Sequence, residues 1–148
     1  MKDVPEILRL WYRLLKPGGR VGFDAPAHNS WAPWSALAAV AKRHGISLRY
    51  TRLETEEACR DVLTETGFEA LKVSTERFDS RFMPLTEVNA AWDRNTKHPL
   101  SRPFLSLPTI ELAQIKSQFI TELVNMATVE GVRDETIIHI AFGRKPDQ

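Results

Sequence analysis

Tyr12-Arg13-Leu14-Leu15-Lys16-Pro17-Gly18-Gly19-Arg20-Val21-Gly22-Phe23 holds the end of a helix, a stop and the start of a strand. Pro17 has no N–H to give a helical ladder, and the glycines after it permit a tight turn. Beyond the turn, Val21, Phe23 and Ala25 alternate with Arg20, Gly22 and Asp24, the two-residue period of a strand over residues 20–25. Before it, Ile7, Trp11, Leu14 and Leu15 fall on one helical face with Leu8 beside them. Asp3 is placed to cap that helix, Pro5 to sit in its first turn and Glu6 to bond back to the cap.

Downstream, Pro26 closes the strand and a polar and aromatic stretch, residues 27–34, follows. Residues 35–44 are alanine-rich and helical, with Gly45 suited to the C-terminal cap. Residues 46–53 read equally as connector or short strand. Thr55 caps a third helix, with Glu56 and Glu57 favourable in its first turn. Gly67 ends it, and residues 69–77 alternate as a strand. Residues 78–131 differ in character: Pro84, Pro99, Pro103 and Pro108 break them into pieces, among them a short helix over 86–94 and a longer one over 109–126. The last strand, 136–144, sets Ile138, Ile140 and Phe142 against Ile137, His139 and Ala141. Apolar on both faces, it belongs in the middle of its sheet. The order is α/β, with too few strands for a complete doubly wound sheet.

The chain has 148 residues, 20 Lys and Arg against 19 Asp and Glu, and a net charge of +1. No global field favours nucleic acid or an anionic membrane. No apolar run reaches the ~20 residues of a membrane span, and the acidic N-terminus lacks the apolar core of a signal peptide. A cytoplasmic protein is expected. The single cysteine, Cys59, excludes an internal disulfide framework and reads as a quiet thiol in a helix. His44 and His98 have no partner at ligand spacing, so no metal is expected.

Three passages together resemble the class I S-adenosylmethionine-dependent methyltransferases, in particular those related to ubiquinone and menaquinone biosynthesis. The opening passage matches the turn into the fifth strand of that fold. Leu63-Thr64-Glu65-Thr66-Gly67-Phe68-Glu69-Ala70-Leu71-Lys72-Val73 matches the helix, Gly-Phe corner and sixth strand. Ile138-His139-Ile140-Ala141-Phe142-Gly143-Arg144-Lys145-Pro146 matches the closing seventh strand and its basic end. The resemblance implies a partial Rossmann-like methyltransferase fold: fifth to seventh strands, flanking helices and a helical insertion between the last two strands. It implies one domain over 1–148, with 78–131 as a lid over the acceptor. The closing strand is expected beside strand 20–25.

The family's glycine-rich loop and its ribose-binding acid are not in this sequence. Gly18-Gly19-Arg20-Val21-Gly22 precedes a strand and opens no helix, so it is no dinucleotide fingerprint. The resemblance therefore implies S-adenosylmethionine as the cofactor, but a cofactor not bound by this chain alone. The expectation is that the other half lies upstream of Met1, through truncation, a misassigned start or a second polypeptide. The isolated chain would then be inactive.

Ligands of open α/β sheets sit beyond the C-terminal strand ends. His28, just past strand 20–25, is the candidate general base because its ordinary pKa lies near neutrality, although an exposed loop histidine explains it as well. Asn29, Trp31, Trp34 and Trp92 are candidates for the acceptor pocket, against the alternative that the tryptophans are core. Asp24 reads as an exposed edge carboxylate and His139 as a satisfied histidine on a sheet face. The expected partners are a small-molecule acceptor and either a second copy of the chain or the missing N-terminal half. The competing function is a non-catalytic remnant serving as an oligomerisation or interaction module.

Overall fold

Residues 3–148 are described by the computed structural model. In chain order they form α1 (Val4–Leu14), β1 (Arg20–Pro26), α2 (Ala32–Arg43), α3 (Glu56–Glu65), β2 (Glu69–Met83), α4 (Val88–Thr96), α5 (Thr109–Met126) and β3 (Val132–Arg144), with 3-10 turns at Leu85–Glu87 and Pro99–Ser106. The strand order is β1-β3-β2. The twofold apolar alternation of β3 thus marks the central strand, as the sequence implies. β1 and β3 are antiparallel, with Gly22 opposite Phe142 and Asp24 opposite Ile140. The closing strand lies beside β1, where the resemblance puts it.

The chain divides into two compact units. The first comprises the stretch ending at Ala27 with Thr51–Glu76 and Ile138–Gln148. Its core gathers Leu8 of α1, Val21 and Ala25 of β1, Leu63 of α3 and Ala141 of β3. The Thr55 hydroxyl caps α3 by accepting from Ala58 N at 3.1 Å. At one end of this unit the three passages behind the resemblance meet around Tyr12. Gly18, at φ +75, donates its N–H to the Lys145 carbonyl at 3.0 Å, and Lys145 N donates to the Gly19 carbonyl at 2.7 Å. The Lys145 ammonium donates to the Tyr12 and Leu15 carbonyls at 2.8 Å each, satisfying the open end of α1. The same ammonium lies 4.7 Å from the centre of the Tyr12 ring, and the Phe68 ring meets that ring edge-on at 5.2 Å. A side chain at Gly67 would press within 3.1 Å of Tyr12.

The second unit comprises His28–Tyr50 and Arg77–Ile137. Here α2 packs on α4 and α5. Leu37, Val40, Ile115, Phe119 and Leu123 are fully buried, which explains the helical period of those segments.

Several boundaries differ from the sequence reading. Asp3 precedes α1, but its side chain makes no capping bond; the first bond is Ile7 N to the Asp3 carbonyl at 3.2 Å. α2 starts at Ala32, earlier than 35, because an acceptor distant in sequence caps it. Strand β2 runs to Met83, so 78–83 is extended and the helical pieces begin at Leu85. β3 starts at Val132, earlier than 136. Charged residues that read as loop, Arg133, Asp134 and Glu135, lie in that strand. Arg77 Nη1 meets Glu135 Oε1 at 2.6 Å, which satisfies one of them. Residues 46–50 form neither helix nor strand.

Candidate functional site

The segment after β1 carries a constrained backbone. Trp31 sits at φ 55, ψ 93, a left-handed conformation that non-glycine residues seldom adopt. Such a conformation costs about 1–3 kcal/mol and persists only where its surroundings fix it. Here they do. Trp31 N donates to the Glu135 carbonyl at 2.9 Å, and its indole Nε1 donates to Thr136 Oγ1 at 3.1 Å. One residue earlier, the buried Ser30 hydroxyl accepts from Ile137 N at 2.9 Å. One residue later, Asp134 Oδ1 accepts from Ala32 N at 2.9 Å and takes over the capping of α2. Four consecutive strand residues, Asp134 to Ile137, thereby hold a three-residue loop.

The candidates fall into different settings. His28 and Asn29 are exposed, immediately before this clamp. Trp31 is half-buried and its ring lies 5.1 Å from Tyr50. Trp34 is buried, with its ring 5.2 Å from Tyr50 and 5.4 Å from His98. Trp92 is buried elsewhere, 5.5 Å from the Phe119 ring, and does not join this group.

Tyr50 and His98 are the residues that sequence reasoning passes over. Tyr50 Oη and His98 Nε2 are 3.0 Å apart. His98 Nδ1 accepts from Leu100 N at 3.2 Å, which leaves the ring proton of a neutral His98 on Nε2, donating to Tyr50 Oη. The tyrosine proton is then free to be offered elsewhere. His98 also lines an open recess of about 400 Å³ with Thr96, Lys97, Pro99, Arg102 and Leu105. The arrangement can lay an apolar group against aromatic faces and present a hydroxyl donor, with Lys97 and Arg102 at the recess to receive negative charge. No sequence signal joins Tyr50 to His98, since they are 48 positions apart and Tyr50 lies in an irregular segment.

Among the described residues, no group of three or more His, Cys, Asp or Glu is placed to hold a metal ion, and no helix is long and apolar enough to cross a membrane.

No family model and no curated protein matches the chain. Among solved structures, it is similar to phosphoethanolamine N-methyltransferase 2 of Haemonchus contortus, in complex with phosphomonomethylethanolamine and S-adenosylhomocysteine. The identity is 16%, the TM-score 0.41, and the match covers 99% of this chain. The chain spans about 30% of the length of that protein.

Proposed function

We propose that the chain is the acceptor-side portion of an S-adenosylmethionine-dependent methyltransferase acting on a small molecule, with cofactor binding supplied by a polypeptide segment outside these residues. The observation that supports this reading is the joint around Tyr12. Three passages, far apart in sequence and each resembling the same family, lock to one another through the Lys145 bonds and the Gly18 turn. In this reading they build the family's C-terminal sheet corner, and the strand order β1-β3-β2 accords with a closing strand beside the fifth. The subtype related to ubiquinone and menaquinone enzymes belongs to the same proposal.

In this reading His28, Asn29 and Trp31, at the end of β1, contact the acceptor. Methyl transfer from a sulfonium needs alignment of acceptor and donor above all, with modest help from a base. The clamp on Trp31 provides a rigid reference for alignment, and His28 is placed to take the acceptor proton. Trp34 and Trp92 act through packing, Trp34 by holding Tyr50 and His98.

The test is ligand-observed NMR of the 148-residue chain against a panel of small hydroxyl- and amine-bearing aromatics, with calorimetry against S-adenosylmethionine. Acceptor-like compounds should bind and W31A should weaken them about tenfold, while S-adenosylmethionine shows no binding at 100 micromolar on the order of magnitude expected for a chain without its glycine loop. Micromolar cofactor binding, or acceptor binding indifferent to both W31A and H28A, would sink the proposal.

A further inference from the structure

The recess beside His98 has a one-sided chemistry. Residues 94–110 contain Arg94, Lys97 and Arg102 and no Asp or Glu, a local excess of positive charge in a chain of net charge +1. Lys97 and Arg102 line the recess with Thr96, His98, Pro99 and Leu105. Other arginines of the second unit meet carboxylates: Arg43 with Glu122, Arg77 with Glu135, Arg81 with Glu87 and Asp134. Among the described residues, no carboxylate stands within ion-pair distance of Lys97 or Arg102.

The walls are held in place. Buried Ser101 donates its hydroxyl to the Asn95 carbonyl at 2.7 Å and its N–H to the His98 carbonyl at 2.8 Å. The neutral polar groups are already committed. Thr96 Oγ1 donates to the Trp92 carbonyl at 2.8 Å, Leu100 N donates to His98 Nδ1 at 3.2 Å, and His98 Nε2 meets Tyr50 Oη. Pro99 has no N–H to give. The recess therefore lacks the nest of backbone donors that a phosphate dianion favours. Two cations remain, with Pro99, the face of the His98 ring and Leu105, which is 82% exposed. Such a set suits a planar, singly charged anion on a flat apolar body. The arginine fork matches the two oxygens of a carboxylate and the lysine adds a point charge. An aromatic ring covers Leu105 and lies on the imidazole.

We infer that this recess binds a small aromatic carboxylic acid, its carboxylate held by Lys97 and Arg102 and its ring against His98 and Leu105. The inference rests on the proposed function only in taking that acid to be the methyl acceptor. Two ring-to-ring steps, 5.2 Å from His98 to Tyr50 and 5.1 Å from Tyr50 to Trp31, bring the recess near the loop that the proposed function assigns to the acceptor.

The test is titration of the 148-residue chain with benzoate, benzamide and phenyl phosphate, followed by ligand-observed NMR. Benzoate should bind with a dissociation constant on the order of 1 mM, and benzamide, of the same shape without the charge, about fivefold or more weaker. Raising the salt from about 0.05 to about 0.5 M should weaken benzoate about fivefold and leave benzamide unchanged. K97A and R102A should each weaken benzoate about threefold or more, and R102K, which keeps the charge but loses the fork, should fall between R102A and the unmodified chain. Both residues are exposed, so circular dichroism of these variants should match the unmodified chain. Benzamide binding as tightly as benzoate, or benzoate indifferent to K97A and R102A, overturns the inference. Phenyl phosphate binding about tenfold tighter than benzoate overturns the carboxylate assignment. Benzoate binding that depends on Lys97 and Arg102 while the acceptor panel ignores W31A and H28A sinks the proposed function and leaves this site standing. Acceptor binding that depends on Trp31 and gains nothing from a carboxylate sinks this inference alone.

Discussion

The two outer strands of the sheet handle their edges in opposite ways. On the β2 side the chain supplies its own cover. Arg60 of α3 donates to the Val73 carbonyl at 3.3 Å, and Thr75 donates to Glu56 at 2.6 Å while touching His139 Nδ1 at 2.9 Å. Ala70 and Asp79 take φ near +50, which interrupts the regular pleat another strand would need. Lys72, Glu76, Arg77 and Arg81 add exposed charge along it. β1 carries fewer of these devices: Arg20 and Asp24 are its exposed charges, and no residue from Arg20 to Pro26 takes a positive φ. An edge with side-chain bonds and backbone irregularity is closed to a further strand, while a short regular edge is open to one. Substitutions can break or sharpen this contrast.

The largest effect should come at Gly131, beside the end of β2. It sits at φ +115, and an added Cβ would run into the Met83 carbonyl oxygen and lie 3.0 Å from its carbon. Both obstacles are backbone, so neither a rotamer change nor a small shift relieves them. G131A should lose about 3 kcal/mol or more, read from the urea midpoint. A loss under about 1 kcal/mol would mean the β2 side is looser than its bonds imply.

His139 tests the polar fastening of that side. It is buried in the central strand, with Nε2 3.0 Å from the Glu54 carbonyl and Nδ1 on Thr75. H139A leaves that carbonyl without its partner, removes one of the two partners of the Thr75 hydroxyl and opens a cavity, so about 2–3 kcal/mol should be lost. If H139A is as stable as the unmodified chain, the network is incidental and the contrast between the edges rests on charge alone.

The difference between these sites and the sequence reading has a physical pattern. The central place of β3 was legible because residues 137–142 are largely apolar on both faces, although only one face is fully covered: Ile137, His139 and Ala141 are buried while Phe142 is exposed. The bounds of α5 were legible because Pro108 precedes it and apolar residues recur through it, although the buried face is Ile115, Phe119 and Leu123 and the terminal Ile110 and Met126 are exposed. The early start of β3 was not, since Arg133, Asp134 and Glu135 look like loop until Arg77, Arg81 and the N-terminus of α2 are brought to them. The start of α2 depends on Asp134, 102 positions away, and no local window contains that cap. At the candidate site, Trp31 was singled out for its aromatic ring, while its distinguishing feature is a backbone angle no composition reveals. The Tyr50–His98 pair was lost because an irregular segment carries no period. The joint around Tyr12 was readable only through resemblance: its contacts are long-range, yet its residue types recur as short motifs.

Gly22 offers a smaller test on the open side. A Cβ there would approach Phe142 Cε1 at 2.7 Å, but that contact is the far end of a half-exposed ring which can turn away. G22A should therefore cost the isolated chain less than about 1 kcal/mol, well below the G131A loss. A cost as large as that of G131A would show the β1–β3 face to be as rigid as the β2 end, and the contrast would fail.

Cys59 gives the last and mildest test, because its effect is absent at neutral pH. The thiol is buried in α3 and 3.7 Å from the Leu53 carbonyl. Burial, with a smaller contribution from the Glu56 carboxylate, pushes its pKa up from 9.0 to about 11. Glu56 is the same residue that accepts from Thr75 of β2, so the thiol reports on whether the β2 side stays closed. The sign follows from linkage. The unfolded chain releases the thiol proton near 9 while the folded chain holds it to about 11. The unfolded state therefore binds fewer protons between those values, and stability falls as pH rises through them. Below 9 this contribution is fully present, so C59A should remove the alkaline slope without altering the pH dependence near neutrality. In the folded chain at pH 8, a thiol-reactive dye should label Cys59 roughly a hundredfold more slowly than in urea, since two pKa units remove that share of thiolate. H139A, which removes one of the two contacts that hold the Thr75 hydroxyl, should speed that labelling. Labelling as fast in the folded chain as in the unfolded one would show that the side of the sheet identified as closed is open to solvent.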